Sequence, residues 1–374
     1  MKISSAKLWP FQLRLRRPLV TAHETLHVRE GVLVELAAES DQRGWGETLP
    51  LAGFGLESLE DSRRGAQRLA RHMLGRSADD LDGALDALEA LEPAAPAARA
   101  ALDAALHDLA ARVRGIRVAE LLTGSGAPPT SIRVSALLSA DSPAAAARCA
   151  RRAVGEGFQT LKLKIGVHGR VGDRERVAAV RDAVGGGLRI RLDANGGYDE
   201  AGAQRAIEDL APFNIEFLEQ PVAPGDVAAL ARIRSSSPIP IAADESLTGE
   251  RSAGELLARG AADLLILKPA ALGGLRTASR IAARAREAGV AVAVTTLLGS
   301  ALGLAAALQL VAALPGPLPD SGLATGGLLD CDLSHALRVA DGALRLPASP
   351  GLGVTPEPST LRRCALGEPL ELHA

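Results

Sequence analysis

The sequence is poor in aromatic residues and in cysteine. Aromatic side chains make up 2% of the 374 residues, while the hydrophobic fraction is 47%. A core must therefore be packed from leucine, valine, isoleucine and alanine. The three cysteines, Cys149, Cys331 and Cys364, are widely spaced and form no CxxC motif. Their odd number and spacing predict reduced thiols in a reducing compartment rather than a disulfide framework.

Blocks of like charge and a continuous apolar leader are also lacking. The formal net charge is -2 and no basic cluster occurs. Neither nucleic acid nor a membrane surface is therefore an expected partner. Charged residues interrupt the apolar residues of the first 20 positions. This pattern argues against a signal peptide and predicts a cytoplasmic location.

One long segment, residues 288–319, carries no charge at all. Its length would suffice for a membrane span. Polar residues and glycines nevertheless divide it, at Thr295, Gly299, Gly303 and Gln309. We therefore expect a buried strand followed by a buried helix, and no membrane span.

From about residue 126 onward, strand-like and helix-like segments alternate regularly. Five charged residues each end an apolar run: Lys164, Asp193, Glu219, Asp244 and Lys268. They follow one another at steps of 29, 26, 25 and 24 residues, each long enough for one strand, one helix and two turns. In a (β/α) barrel the carboxyl ends of the strands meet at one face, which carries the chemistry. The spacing therefore predicts a barrel in which these five side chains converge.

The rest of the chain predicts a second domain. Residues 1–125 pass from strand-like segments to three Ala- and Leu-rich helical segments without alternation, which indicates an α+β domain. A Gly, Pro and Ser cluster near residue 125 marks its boundary. We expect the barrel over 126–334, with seven βα units and an eighth strand near 321–326. Residues from about 335 to 374 are expected to rejoin the first domain.

The three carboxylates indicate a metal site. Asp193, Glu219 and Asp244 would come from adjacent strands and repel one another unless a cation lay between them. An all-oxygen site with room for water and substrate suits Mg²⁺, with Mn²⁺ as a possible substitute. The expected partner is a small-molecule carboxylate substrate.

The lysines indicate a base. Lys162 and Lys164 are two residues apart on one strand and therefore point to the same face. Two ammonium groups roughly 7 Å apart repel by about 2.4 kcal/mol at an effective dielectric near 20. This repulsion predicts a lowered pKa for Lys164, which could then act as a base at neutral pH. Lys268 should face it across the bound ligand.

Together these motifs resemble those of the enolase superfamily, in its muconate-lactonizing subgroup. The resemblance spans nearly the whole chain and rests on Lys162-x-Lys164, Asp193-Ala-Asn195, Glu219-Gln-Pro, Ala-Asp244-Glu245-Ser and Lys268. It implies an α/β fold, a (β/α)7β modified TIM barrel with an α+β capping domain. It also implies that Asn195 and Glu245 support the metal site. A lysine base acting with Mg²⁺ on a carboxylate substrate is the chemistry of this superfamily.

Within the subgroup, several stretches look most like o-succinylbenzoate synthases. These are residues 18–31, GWGETLPLAGFGLESLE, the run after Lys268 and GLATGGLLDCDL. The resemblance implies a lyase of menaquinone biosynthesis that dehydrates a cyclohexadiene carboxylate, with Lys164 as the only base and Lys268 as an electrostatic partner. Asp330-x-Asp332 instead resembles the acidic pair with which dipeptide epimerases hold an ammonium group. Dipeptide epimerase, N-acylamino acid racemase and muconate-type cycloisomerase therefore stay open as alternatives.

The resemblance also implies that loops near residues 20 and 50 close over the substrate. His23, Arg29, Phe54 and Gly55 are then expected to cover the pocket. The backbone of Gly299 and Ser300 is expected to approach the succinyl carboxylate, although relatives usually carry Glu-Ser there. A Schiff-base aldolase and a metal-holding binding protein are the alternatives outside the superfamily. The apolar barrel helices could serve a core or a homo-oligomer interface.

Overall fold

A four-stranded antiparallel sheet forms the capping domain. The computed structural model describes residues 1–20, 25–91, 94–124, 126–167, 169–335 and 337–374. The sheet has the order β14-β1-β2-β3, and its strands are β1 (Ile3–Val20), β2 (Thr25–Ala38), β3 (Arg43–Thr48) and β14 (Leu370–His373). Since β14 pairs with β1, the last strand of the chain lies beside its first.

Helices cover one face of this sheet, namely α1 (Leu59–Met73), α2 (Leu81–Leu91) and α3 (Pro96–Val113), with α4 (Val118–Thr123) following. Helix α3 is buried along most of its length. It can lie close to β3 because Gly44 and Gly46 face it. A Cβ at these positions would come within 2.1 Å of Ala105 O and 1.9 Å of Ala101 O, respectively. Small residues on both elements therefore bring α3 close to the sheet.

Seven parallel strands form the barrel, in sequence order, which confirms the predicted fold. They are β5 (Ala136–Leu138), β6 (Thr160–Lys164), β7 (Arg189–Asp193), β8 (Ile215–Glu219), β9 (Ile241–Ala243), β10 (Leu264–Leu267) and β11 (Ala291–Val294). Ser321 bridges to Val134 and Gly322 bridges to Thr295, so these two residues join both edges of the sheet. They lie where the eighth strand was predicted.

The helices of the barrel are α5 (Pro143–Gly155), α6 (Gly169–Val184), α7 (Glu200–Leu210), α8 (Val227–Ser236), α9 (Glu250–Ala258), α10 (Pro269–Leu272), α11 (Leu275–Glu287) and α12 (Ala301–Ala313). Helix α12 is largely buried, so the uncharged segment is a strand followed by a buried helix, as predicted. In the part of the chain described here, no helix is both long and apolar enough to cross a membrane.

The segment expected as the first barrel strand is divided in two. Its first half, β4 (Ser131–Arg133), pairs with β13 (Ala343–Arg345), which in turn pairs with β12 (Val339–Ala340). Only β5 enters the barrel. The change of partner falls between Val134, whose N–H donates to Gly342 O, and Ser135, whose N–H donates to Ser321 O.

The expectation of three reduced thiols is wrong for two of them. The structure joins Cys331 to Cys364 in a disulfide, and Cys149 is free. Cys364 ends α13 (Pro358–Cys364), a helix in the returning C-terminal segment. The two cysteines are 33 residues apart, and no local motif indicates that this segment passes next to Cys331.

Candidate active site

The carboxyl ends of neighbouring barrel strands bring the predicted charged residues together. In the parallel register Lys164 lies opposite Asp193, and Asp193 lies opposite Glu219. Asp244 and Lys268 directly follow β9 and β10. Strand ends alone therefore gather the five residues that the spacing singled out, and all of them except Lys164 are buried.

Lys162 lies between two carboxylates. Its Nζ atom is 2.7 and 2.8 Å from the two oxygens of Glu219 and 2.9 Å from Asp193 Oδ2. Burial acts to lower the pKa of Lys162, but the charges of Asp193 and Glu219 outweigh burial and hold that pKa above its usual range. The positive charge of Lys162 is thus balanced by carboxylates, which the argument from repulsion between neighbouring lysines did not include.

The two carboxylates that share this ammonium differ in their affinity for protons. Burial, and then the charge of Asp193, raises the pKa of Glu219 to about 8. Burial also acts to raise the pKa of Asp193, but the Lys162 and Lys164 ammonium groups hold it below its usual range. A single shared cation stabilises one negative charge more than two, so a proton is favoured on Glu219 before Asp193.

Asn195 connects Lys164 to the carboxylate cluster. Lys164 Nζ donates to Asn195 Oδ1 and lies 3.8 Å from Asp193 Oδ2. The Asn195 backbone N–H donates to Asp193 Oδ1 at 3.0 Å, and its side-chain amide donates to Glu245 Oε1 at 2.9 Å. Asn195 adopts a left-handed backbone with φ +43°, which asparagine tolerates well. Asn195 thus links Glu245 to Asp193 and Lys164, and support of a metal site by Asn195 and Glu245 stays a prediction.

Lys268 lies on the other side of the cluster. Its Nζ atom is 2.5 Å from Asp244 Oδ2 and 3.7 Å from the centroid of the Phe54 ring. A cation over an aromatic face is attracted by the ring quadrupole. Phe54 comes from the predicted capping loop near residue 50, so this contact joins the two domains at the site.

Gln220 is a residue that sequence reasoning passed over. Its Oε1 atom accepts the backbone N–H groups of Asp244 at 3.0 Å and Ser246 at 3.1 Å. It is fully buried and has φ +41°, a strained conformation for a residue of this kind. Gln220 thereby fixes the turn that carries Asp244. The Glu-Gln-Pro motif was the available signal, but only its glutamate was given a role.

The donor set fits a hard divalent cation. Asp193, Glu219 and Asp244 offer only carboxylate oxygens, which Mg²⁺ prefers, and Glu245 Oε2 is buried with no hydrogen-bond partner. Among the described residues, however, no three Asp, Glu, His or Cys side chains lie close enough together to hold a metal ion as they stand. Two lysine ammonium groups hold the carboxylate oxygens instead. Metal ligation by these residues therefore stays a prediction.

A cavity of about 120 Å³ opens beside the lysines. Lys162, Lys164, Asp193, Asn195, Glu245 and Lys268 line its polar end. Half of the remaining wall is formed by large apolar side chains, namely Leu19, Leu26, Leu51, Phe54, Leu137, Leu297 and Leu298. The first four of these apolar residues belong to the capping domain. The cavity therefore joins a charged end, built by the barrel, to an apolar end that both domains build.

Two predicted substrate contacts lie behind the cavity wall or beyond it. Arg29 is buried and donates to the backbone oxygens of Leu49 at 2.5 Å and Leu297 at 3.4 Å, so it supports two loops and does not line the cavity. Gly55 lies past Phe54 and borders a smaller pocket beside Lys268. The remaining prediction for this loop region, His23, falls outside the described residues.

The Gly299 and Ser300 backbone was predicted to approach a carboxylate of the substrate. In the structure, a carboxylate of the protein, that of Glu47, contacts Ser300 instead. The Ser300 N–H donates to Glu47 Oε1 at 2.9 Å, and the Ser300 hydroxyl donates to Glu47 Oε2. Glu47 belongs to β3 in the GWGET motif, and sequence reasoning gave it no role. Gly299 borders a pocket next to this carboxylate.

The acidic pair near the end of the barrel does not line the cavity either. Asp332 Oδ1 accepts the backbone N–H groups of Ala301 at 2.8 Å and Leu333 at 2.6 Å. It therefore caps the start of α12. The backbone N–H of Asp330 donates to Arg14 O at 2.8 Å, which attaches this segment to β1.

Comparison with known proteins matches both domains. Residues 5–123 match the mandelate racemase / muconate lactonizing enzyme N-terminal domain, and residues 144–360 match the enolase C-terminal domain-like family. A chloromuconate cycloisomerase of Cupriavidus necator is 31% identical over 358 residues, which cover 95% of this chain and 96% of that protein.

Two solved structures have similar folds. The N-succinyl Arg/Lys racemase from Bacillus cereus superposes with a TM-score of 0.94 at 26% identity and covers 100% of both chains. A dipeptide epimerase from Enterococcus faecalis, complexed with Mg and the dipeptide L-Leu-L-Tyr, gives a TM-score of 0.89 at 28% identity over 95% of this chain and 100% of that chain. These similar proteins include isomerases of three kinds.

Proposed function

The chain belongs to the mandelate racemase / muconate lactonizing enzyme family of the enolase superfamily, and on that premise we propose that it racemises or epimerises an N-acylated amino acid. The reaction moves a proton at the carbon next to a carboxylate. One observation carries the proposal: Lys164 and Lys268 line the same cavity from opposite sides of the carboxylate cluster. A base on each side lets a proton leave from one face and return to the other.

In the proposed mechanism one lysine is neutral and the other is an ammonium. Lys164 Nζ takes the proton from the α-carbon, and Asn195 Oδ1 orients it for that step. Lys268 Nζ then gives a proton to the opposite face, and in the reverse direction the two lysines exchange roles. Mg²⁺ held by Asp193, Glu219 and Asp244 would supply positive charge that makes the α C–H acidic.

The apolar end of the cavity supports an N-acyl substrate with an apolar side chain. Among the residues described, the charged groups that line the cavity all belong to the lysine and carboxylate cluster. A dipeptide ammonium would need a further carboxylate, and Asp332 is already committed to the start of α12. A neutral acyl group has no such requirement, because a buried unpaired charge is strongly unfavourable.

A second candidate is the dehydration carried out by o-succinylbenzoate synthases. The four sequence stretches named above favour it, and Lys164 could serve as its only base. Its substrate carries a second carboxylate, however, and the N–H groups at the start of α12 that could receive it already donate to Glu47. The racemase, epimerase and cycloisomerase similarities also favour isomerisation over a lyase reaction.

One assay separates these reactions. The purified chain with Mg²⁺ is incubated in D₂O with N-acetyl-L-leucine and N-acetyl-L-phenylalanine, and in parallel with L-Leu-L-Tyr, cis,cis-muconate and the cyclohexadiene substrate. Proton NMR follows the α-proton signal, and polarimetry follows the optical rotation. For the N-acyl compounds we expect both the α-proton signal and the optical rotation to disappear. Dehydration or lactonisation without α-proton exchange would refute the proposal and identify the competing reaction.

A further inference from the structure

A single buried carboxylate joins the capping sheet to the start of α12. Glu47 accepts the backbone N–H groups of Ser300 at 2.9 Å and Gly303 at 3.2 Å, together with the Ser300 hydroxyl. Helix α12 has no acidic residue in its own first turn. Glu47 therefore satisfies the N–H groups of Ser300 and Gly303 from 253 and 256 positions earlier in the chain. The remaining orphan N–H groups go to Asp332, which accepts from Ala301, and to the Ser300 hydroxyl, which accepts from Leu302.

Two glycines leave room for this carboxylate. A Cβ built at Gly299 or at Gly303 would lie 2.4 Å from Glu47 Oε1, which is too close for non-bonded atoms. Neither glycine has a positive φ. Glycine is therefore needed at these positions because it leaves space for the carboxylate, and not because of its conformational freedom. The Glu47 junction, defined as Glu47 with Gly299, Ser300 and Gly303, is thus a matched fit between the two domains.

The junction directly follows a loop that lines the substrate cavity. Residues 295–298 connect β11 to Gly299, and each of them lines the cavity. Leu298 has φ +55°, a left-handed conformation that a leucine keeps only where its surroundings hold it. Leu297 O accepts a hydrogen bond from Arg29, so the capping domain holds this loop both from within and at its end.

Building on the proposed function, we propose that Glu47 is a positioning residue: its carboxylate holds residues 295–298 in the shape that receives the apolar part of the substrate. Glu47 itself does not line that cavity and acts through the loop. The charge of Asp332 acts on the Glu47 carboxylate, while Ala100 and Ala104 on α3 present apolar surface to the same pocket.

Hydrogen exchange measured by mass spectrometry on the full chain tests the structural half of this proposal without any substrate. In Glu47→Ala, amides within residues 295–303 should exchange about tenfold faster or more, because the junction opens locally. Amides of β10 should be unchanged. Glu47→Gln, which keeps an acceptor oxygen, should have an intermediate effect. Adding Gly299→Asp to Glu47→Ala should restore protection, because the new carboxylate enters the space that Glu47 Oε1 fills.

Glu35→Gln is the matched control. Glu35 is another buried carboxylate of the capping sheet, but it pairs with Arg43 and lies away from α12. It should leave exchange within residues 295–303 unchanged. Faster exchange throughout the barrel in Glu47→Ala, or no change within residues 295–303, would overturn the proposal whatever the wild-type chain catalyses.

Kinetics with an N-acyl substrate test the functional half. Glu47→Ala should raise KM about tenfold while kcat changes less than about threefold, since the loop contacts the substrate away from the reacting carbon. A fall in kcat with unchanged KM would contradict the positioning role. Absence of turnover by the wild-type chain, with the exchange results as expected, would refute the proposed function and leave the junction intact.

Discussion

The barrel face and the Glu47 junction both bury carboxylates, but they satisfy them differently. Asp193, Glu219 and Asp244 contact lysine ammonium groups, whereas Glu47 accepts hydrogen bonds from backbone N–H groups and a hydroxyl. Charge pairing leaves side chains that can exchange one cation for another. Backbone hydrogen bonds instead fix a carboxylate in place. The first arrangement suits catalysis, and the second suits the support of a loop.

The largest expected effect comes from removing either lysine that faces the cavity. Lys164→Ala and Lys268→Ala should each lower racemisation by about 10³-fold, within the range for loss of a positioned acid or base. Each variant should still exchange the α-proton of one enantiomer, the one whose proton points at the remaining lysine. NMR in D₂O with separate L and D substrates measures this.

Lys7→Ala serves as the control for both variants, because Lys7 pairs with Glu371 at the surface of the capping sheet. If one of the two cavity variants still racemised at the wild-type rate, that lysine would not be a base and the two-base mechanism would be wrong. The division between the catalytic barrel face and the supporting junction would remain.

The contributions of Glu47 and Asp193 to the pH dependence of stability should have opposite signs. Burial raises the pKa of Glu47 to about 7, so the unfolded chain loses this proton at lower pH than the folded chain. The free energy of unfolding should therefore fall by about 3 kcal/mol as the pH rises from about 4.5 to about 7. Glu47→Gln should remove this loss. Urea unfolding between pH 5 and pH 8 measures it.

Asp193 should act in the other direction. Its pKa is held below the usual range in the folded chain, so its contribution to stability is present above the ordinary pKa of an aspartate and is lost as the pH falls. Asp193→Asn should therefore flatten the acid side of the stability profile. Equal stability profiles for the Glu47 and Asp193 variants would contradict the predicted difference between these two carboxylates.

Metal binding should affect only the barrel face. At a concentration a hundred times its Kd, Mg²⁺ should stabilise the wild-type chain by about 2.7 kcal/mol, and exhaustive chelation should abolish activity reversibly. Glu219→Gln should lose the stabilisation, while Glu47→Gln should retain it. Thermal unfolding with and without Mg²⁺ measures both. Full stabilisation of the Glu219 variant would show that the ion binds elsewhere.

The smallest effect is expected from a charge pair at the surface. Arg117 and Glu120 lie 2.8 Å apart, and the Arg117 hydrogen bonds lower the pKa of Glu120 to about 2. Glu120→Gln should nevertheless cost less than about 1 kcal/mol, because both side chains are partly exposed and solvent screens the pair. Urea unfolding of this variant provides the baseline for the buried sites. If Glu120→Gln lowered the free energy of unfolding as much as substitution of a buried carboxylate, burial would not be what determines how much these carboxylates contribute to stability.

The sequence predicts those parts of the site that depend on local pattern. Asp193, Glu219 and Asp244 could be located because an apolar run and its end are readable within a few residues, and a parallel register then aligns the ends of neighbouring strands. The same argument placed Lys164 and Lys268. It could not assign the partner of each charge. Lys162 was expected to repel Lys164, but it contacts the carboxylates of Asp193 and Glu219 on the neighbouring strands.

Long-range contacts were not predictable in this way. Glu47 and Ser300 are 253 residues apart, and no periodicity relates a strand of one domain to a helix start in the other. The same holds for the Cys331 and Cys364 pair, which joins two segments 33 residues apart. Such pairings depend on how domains pack, which a single sequence expresses only indirectly.

The pairing of β14 with β1 has a consequence for how the chain folds. Ser5 lies opposite His373 in this ladder, so the capping sheet gains its edge strand only after every barrel strand has been synthesised. Contacts that span so much sequence form slowly, because a very long loop must close first. On the ribosome the barrel can therefore assemble before the capping sheet is complete. The substrate cavity, which needs both domains, is then the last part of the molecule to take shape.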